Sequence, residues 1–196
     1  MSHRIISIAD LDDGAPYRLL TGLVIPRPIA WVSSVDASGV LNLAPHSFFT
    51  VASANPPIVQ FTSVGRKDSL RNIESTGEFV VNLAPRMLIE PMNTTAARVD
   101  PEVDEFDLAE LTPAGSTRVK PPRVAESPAA LECVLHSVIP VGNSFLVLGE
   151  VVGAVVDEEK LDGDRPNESK LDPLGRLSGS RYVTFGETVS VPRPER

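Results

Sequence analysis

Two stretches decide how this chain folds: Arg27-Pro28-Ile29-Ala30-Trp31-Val32-Ser33-Ser34-Val35-Asp36 and Gly39-Val40-Leu41-Asn42-Leu43-Ala44-Pro45-His46-Ser47-Phe48-Phe49. The first is rich in β-branched and aromatic residues and reads as a strand ending in two hydroxyls. Asp36-Ala37-Ser38-Gly39 is turn chemistry, because Asp caps its own backbone and Gly supplies positive φ. The chain then returns as a second strand over Val40 to Leu43. Pro45 has no N–H to give a ladder, so pairing is expected to stop or bulge there. Asn42, His46 and Ser47 then collect beside Phe48 and Phe49 where the hairpin opens. A hairpin end with hydroxyls, an amide and free backbone N–H groups suits a flat polar ligand.

Working outward, the 196 residues suffice for one domain with a sizeable core, and 42% apolar with 22% charged residues is ordinary for a globular protein. A net charge of −8 argues against binding nucleic acid through the overall field, while leaving room for a local cationic site. Cys133 is the single cysteine, so no intrachain disulfide forms and a reducing compartment is expected. Early aspartates and no apolar leader argue against a signal peptide, and no run approaches the ~20 residues of a membrane helix. The expectation is a cytoplasmic protein with no nucleic-acid or membrane partner.

Eighteen prolines break the chain into short elements. Ala15 to Gly22 reads as a short helix with Pro16 in its first turn and Gly22 at its C-cap. Thr50–Ser53 and Pro57–Ser63 read as strands. Leu70 to Gly77 reads as a helix, with Asp68 or Ser69 as N-cap and Gly77 as its stop. Phe79–Leu83 is a further strand, and Met87–Ala97 has helical composition. Asp100–Pro128 reads as a surface excursion. Ala129–Ile139 and Ser144–Val156, turned at Gly142-Asn143, form the clearest hairpin. Asp157–Arg176 reads as a loop and Arg181–Phe185 as a last strand. The tally predicts a mainly β, closed or nearly closed antiparallel barrel with a few short helices, one domain over 1–196 with its core at about 15–186.

No dinucleotide fingerprint, phosphate loop, zinc spacing or nucleophile elbow is present. Neither a catalytic side chain nor a metal ligand is assigned, which points to chemistry carried by a bound cofactor. Arg66-Lys67-Asp68-Ser69 opens a helix, where free N–H groups and the helix dipole favour an anion beside two cations and a hydroxyl. Taken alone, an ordinary N-cap with two solvated cations is the commoner explanation. Ser33, Ser34, Asn42 and Ser47 form a second candidate group, although turn-capping accounts for such residues too. Trp31 is either a core aromatic or a stacking wall. His46 alone reads as a hydrogen-bonded loop histidine, Cys133 as packing, and Asp104-Glu105-Phe106-Asp107 as a solvated acidic segment.

Taken together, the quoted stretches, with Asn55-Pro56-Pro57, Lys67–Ile73, Gly77–Leu83, Lys120–Pro128 and Leu148–Val152, resemble the flavin reductase-like family with the FMN-binding split β-barrel fold of Greek-key type. The likeness runs from about Pro26 to Val156, with a weaker echo at Arg176–Tyr182, and rests on the order of the motifs more than on any one. It implies that Trp31, Val32, Ser33 and Ser34, with Asn42, Leu43, Ala44, Pro45 and Ser47, hold the flavin ring and ribityl chain. It further implies that Ser63, Arg66, Lys67, Asp68 and Ser69 take the phosphate, and that Arg176 and Tyr182 close over the site. The implied cofactor is FMN, with FAD as an alternative, reduced by hydride from NADH or NADPH. The implied assembly is a homodimer that passes electrons to a flavin-dependent oxygenase or another redox partner. A flavoredoxin-like carrier without a nicotinamide site, and a barrel protein that has lost flavin, are the alternatives.

Overall fold

The computed structural model describes residues 1–194. Seven strands form the main sheet: β1 (Ala30–Val35), β2 (Leu41–His46), β3 (Phe49–Ala54), β4 (Pro57–Val64), β5 (Glu78–Asn82), β6 (Ala129–Val141) and β7 (Ser144–Val156). Their order is β2-β1-β5-β6-β7-β4-β3, and every paired neighbour is antiparallel. β2 and β3 therefore sit at opposite edges of the sheet, yet only Ser47 and Phe48 separate them in sequence. Such a link spans roughly 10 Å, whereas six strand spacings of about 4.8 Å would carry a flat sheet across nearly three times that. The sheet must curl until its edges meet. They meet as a split: β2 and β3 do not pair, and the Thr62 N–H donates to the Phe48 carbonyl at 2.8 Å across the corner.

β1 buries both faces. Ala30 and Val32 point into one core with Phe61, Phe79 and Val147, and Leu70 and Ile73 from helix α2 (Asp68–Thr76) plug it. Trp31, like Ile29 just before the strand, points into a second core with Leu43, Leu88, Met92 and Phe106. The Trp31 indole N–H donates to Thr95 Oγ1 at 2.9 Å, and that hydroxyl donates to the Met92 carbonyl at 2.8 Å. This ties the end of helix α3 (Ile89–Thr94) to the sheet. The helix α2 ends at Gly77 in the left-handed conformation, φ 73°, as its sequence predicts.

Several expectations are corrected. Strand β2 runs through Pro45, which pairs with Trp31. An edge strand uses only some of its N–H groups in the ladder, so proline is tolerated there. Helix α1 (Ala15–Leu23) continues past Gly22 and is capped at Val24. Asp68 and Ser69 lie inside α2, and Lys67 occupies its N-cap. The last strand shrinks to Tyr182–Val183, which pairs with Gly175–Arg176, itself paired with Arg27–Pro28. The loop after Asp157 contains a short ladder, Leu161–Asp162 with Arg165–Pro166, and a helical turn, Glu168–Leu171. The acidic segment is only partly solvated: Asp107 is exposed, but in helix α4 (Glu105–Leu108) Phe106 is fully buried in the second core and Glu105 is buried beside it.

Gly149 on β7 lies against the Phe79 ring so closely that a Cβ would overlap it, with Cys133 behind. Gly149→Ala is therefore expected to destabilise the fold by about 1–3 kcal/mol through overpacking, read as a lower urea midpoint at an unchanged slope. An unchanged midpoint would contradict this packing.

Candidate functional site

A concavity of about 530 Å³ opens along the edge strand β2. Its walls are Asn42 to His46 without Leu43, the turn Gly65–Lys67 with the first residues of α2, the segment Thr95–Val99 after α3, and Glu105. The turn exists because Gly65 adopts φ 78° and its N–H bonds the Asn143 carbonyl at 3.0 Å, which aims the start of α2 at β2.

Four cations (Arg66, Lys67, Arg71 and Arg98) and two carboxylates (Asp68 and Glu105) line this space in a chain of net charge −8. Arg66 pairs with Glu74 and Arg71 with Asp68. Among the described residues, Lys67 and Arg98 form no ion pair. Helix α2 also lacks a side-chain cap, so no side-chain oxygen at its N-cap meets the first-turn N–H groups. An uncapped helix start beside unpaired cations is the arrangement an oxyanion completes.

Behind this mouth lies a buried polar cluster. Asn42 Nδ2 donates to Ser69 Oγ at 3.2 Å, and His46 Nε2 lies 3.5 Å from the same hydroxyl. Burial, reinforced by the Lys67 charge, pulls the His46 pKa down to about 4, so the ring is neutral at pH 7. Its face packs on Phe61 with centroids 4.6 Å apart. Across the cavity, the Leu43 N–H donates to Glu105 Oε2 at 3.0 Å, and burial pushes the Glu105 carboxyl above its ordinary value against the opposing pull of that hydrogen bond.

A second, smaller concavity of about 260 Å³ adjoins the first, sharing Pro45 and Ala96. Arg27, Ser47, Met92, Arg176 and Tyr182 help to line it. The Arg176 guanidinium stacks on the Tyr182 ring at 4.4 Å, an intrachain cation–π contact that fixes both.

The residues singled out in the sequence thus divide into two groups. Asn42, Ala44, Pro45, Arg66, Lys67, Asp68 and Ser69 come together around the first cavity, and Ser47, Arg176 and Tyr182 around the second. The side chains of Trp31, Val32, Ser33, Ser34, Leu43 and Ser63 line neither and are buried. Ser33 Oγ donates to the Pro122 carbonyl at 2.5 Å and accepts from Asn82 Nδ2 at 3.1 Å. Ser34 Oγ accepts from Asn72 Nδ2 at 3.3 Å, and Ser63 Oγ donates to the Gly65 carbonyl at 2.8 Å. Thr95, Arg98 and Glu105 are among the polar lining residues that the sequence did not mark as site candidates. Thr95 belongs to the stretch of helical composition, Glu105 to the surface excursion and Arg98 to the few residues between them, and no local signal marks any of them.

Residues 22–174 match the flavin reductase like domain, and the chain belongs to that family. The structure resembles nitrilotriacetate monooxygenase component B from Bacillus cereus, with TM-score 0.94 and 37% identity over 97% of this chain and 100% of that one. It also resembles the 2-nitrobenzoate 2-nitroreductase of Pseudomonas fluorescens, with TM-score 0.91 and 31% identity over 97% and 96%. The flavoredoxin of Desulfovibrio vulgaris (Miyazaki F) matches with TM-score 0.80 and 25% identity over 86% and 92%.

His46 gives the cluster a pH signature. Its pKa is about 4 when folded against 6.5 ordinarily, so between those values the unfolded chain binds more protons. Stability then falls as pH is lowered through that window, by at most about 1.4 kcal/mol per unit. Glu105, raised by burial, contributes with the opposite sign, so the informative comparison is His46→Gln against the parent. Urea unfolding from pH 6.5 to 4 is expected to show a shallower loss in H46Q, and parallel slopes would contradict the assignment.

Proposed function

We propose that the protein is an FMN-binding oxidoreductase whose first cavity holds the flavin mononucleotide. The observation that carries the proposal is the uncapped start of α2 facing the unpaired cations Lys67 and Arg98 across one cavity. A phosphate monoester fits that end: two to three charge-assisted bonds of about 1.5–3 kcal/mol each make it the anchor. Ser69 and Asn42, already bonded to each other, keep the floor polar and fixed. The β2 segment Ala44-Pro45, apolar and on the edge of the sheet, offers a wall for the ring and chain, with Ser47, Arg176 and Tyr182 beyond it. Residues of β1 and Leu43 support that wall from behind, so their part is to hold the edge strand in place. Approximately 530 Å³ lies within the range of nucleotide-sized pockets.

Bound flavin supplies a two-electron acceptor for hydride from NADH or NADPH, and the absence of an assigned acid or base suits a reaction that chiefly needs stacked rings. The chain's own residues bind the phosphate, exclude water beneath the ring and keep His46 uncharged. A homodimer belongs to this reading, supported by exposed apolar side chains on the long hairpin at Val134, Ile139, Val141 and Val152. The likeness to a monooxygenase component supports transfer of the reducing equivalents to a partner oxygenase.

Lys67→Gln separates phosphate recognition from ring recognition. Its affinity for FMN is expected to drop about tenfold or more, with riboflavin affinity nearly unchanged, read by quenching of flavin fluorescence. Equal effects on both flavins would contradict the placement of the phosphate. Anaerobic addition of NADH or NADPH to the FMN-loaded protein is expected to bleach the visible band, and a band that persists with both donors would mark an electron carrier instead.

A further inference from the structure

The second cavity carries a charge pattern that a flavin phosphate held in the first cavity leaves unmatched. Two guanidinium groups, Arg27 and Arg176, line it, and among the described residues no carboxylate does. Arg27 is only 6% exposed. Its Nη1 donates to the carbonyls of Thr21 and Val24, both at 2.7 Å, and its Nη2 to that of Leu177 at 2.9 Å. Its Nε has no acceptor, and among the described residues no carboxylate pairs with it. Buried charges are ordinarily paired, because carbonyl dipoles replace water only in part. Arg176 stands close enough to repel it further. Two like charges converge on one small space with no counter-ion among the described residues.

The remaining wall says what kind of anion fits. Ile29, Met92 and Pro45 are apolar, and Tyr182 is held by its stack with Arg176, whose Nη2 also donates to the Gly179 carbonyl at 2.5 Å. About 260 Å³ admits one ring and a small charged group and is too small for a dinucleotide. We propose that this cavity binds a planar aromatic carboxylate, its carboxylate drawn to the Arg27–Arg176 pair and its ring laid on the apolar wall. The shared boundary at Pro45 and Ala96 places that ring next to the flavin cavity, and only this adjacency rests on the flavin reading.

Isothermal titration of the protein, with and without saturating FMN, tests it using benzoate, the uncharged benzamide and inorganic phosphate. Benzoate is expected to bind at least about tenfold more tightly than benzamide, as a charge-assisted contact requires. Arg176→Gln is expected to remove most of that preference, weakening benzoate far more than benzamide, and Arg176→Lys to restore part of it. Benzoate binding no better than benzamide, or a preference that survives R176Q, overturns the proposal. Phosphate binding more tightly than benzoate with the same R176Q sensitivity also overturns it, making the pair a phosphate subsite. If FMN fails to bind but the benzoate preference and its R176Q loss remain, the flavin reading falls and this one stands.

Discussion

One constraint shapes the molecule: the chain crosses from one edge of a seven-stranded sheet to the other in two residues, Ser47 and Phe48. Only a curled sheet allows it, and curling gives the chain an inside, filled by Phe61, Phe79, Cys133 and Val147 and plugged by α2. It also leaves β2 as an unclosed edge facing the start of α2. Edge strands are usually blunted or covered. Here the edge carries Pro45 and lies against α4, whose Glu105 accepts the Leu43 N–H. The candidate site is what remains between that edge and the helix start.

The same geometry explains why a chain of net charge −8 keeps a cationic cavity. Arg66 and Arg71 are neutralised by Glu74 and Asp68, while Lys67 and Arg98 come from separate segments and have no such partner among the described residues. Anion binding there, as proposed, would depend on the local field of two or three groups and the helix start, and salt would weaken it only as far as the groups remain solvated. His46 supplies the complementary feature, a polar ring kept neutral by burial so that the floor of the cavity adds no charge.

Much of this was legible in the sequence. The hairpin at Gly142-Asn143, the α2 stop at Gly77 and the β-branched, aromatic strand before Asp36 are local patterns that the structure keeps. Motif order gave the family. What escaped depends on distant partners. Pro45 stays in a strand because that strand is an edge, which no local rule states. Glu105 and Phe106 read as part of an acidic run, yet Phe106 fills a core floored by Trp31 and Glu105 meets a backbone N–H 62 residues earlier. The sequence does not show that the Ser33 and Ser34 hydroxyls bond to Pro122, Asn82 and Asn72, partners brought alongside from distant segments.

The central claim is that the cavity between β2 and α2 is a flavin phosphate site, and a thermal melt of the purified protein with and without FMN, alongside its visible absorption spectrum, tests it most directly. The account predicts a yellow protein, or one whose melting temperature rises with FMN concentration as for a ligand of the native state. A colourless protein whose melting temperature is indifferent to FMN and FAD would contradict it while leaving the fold intact.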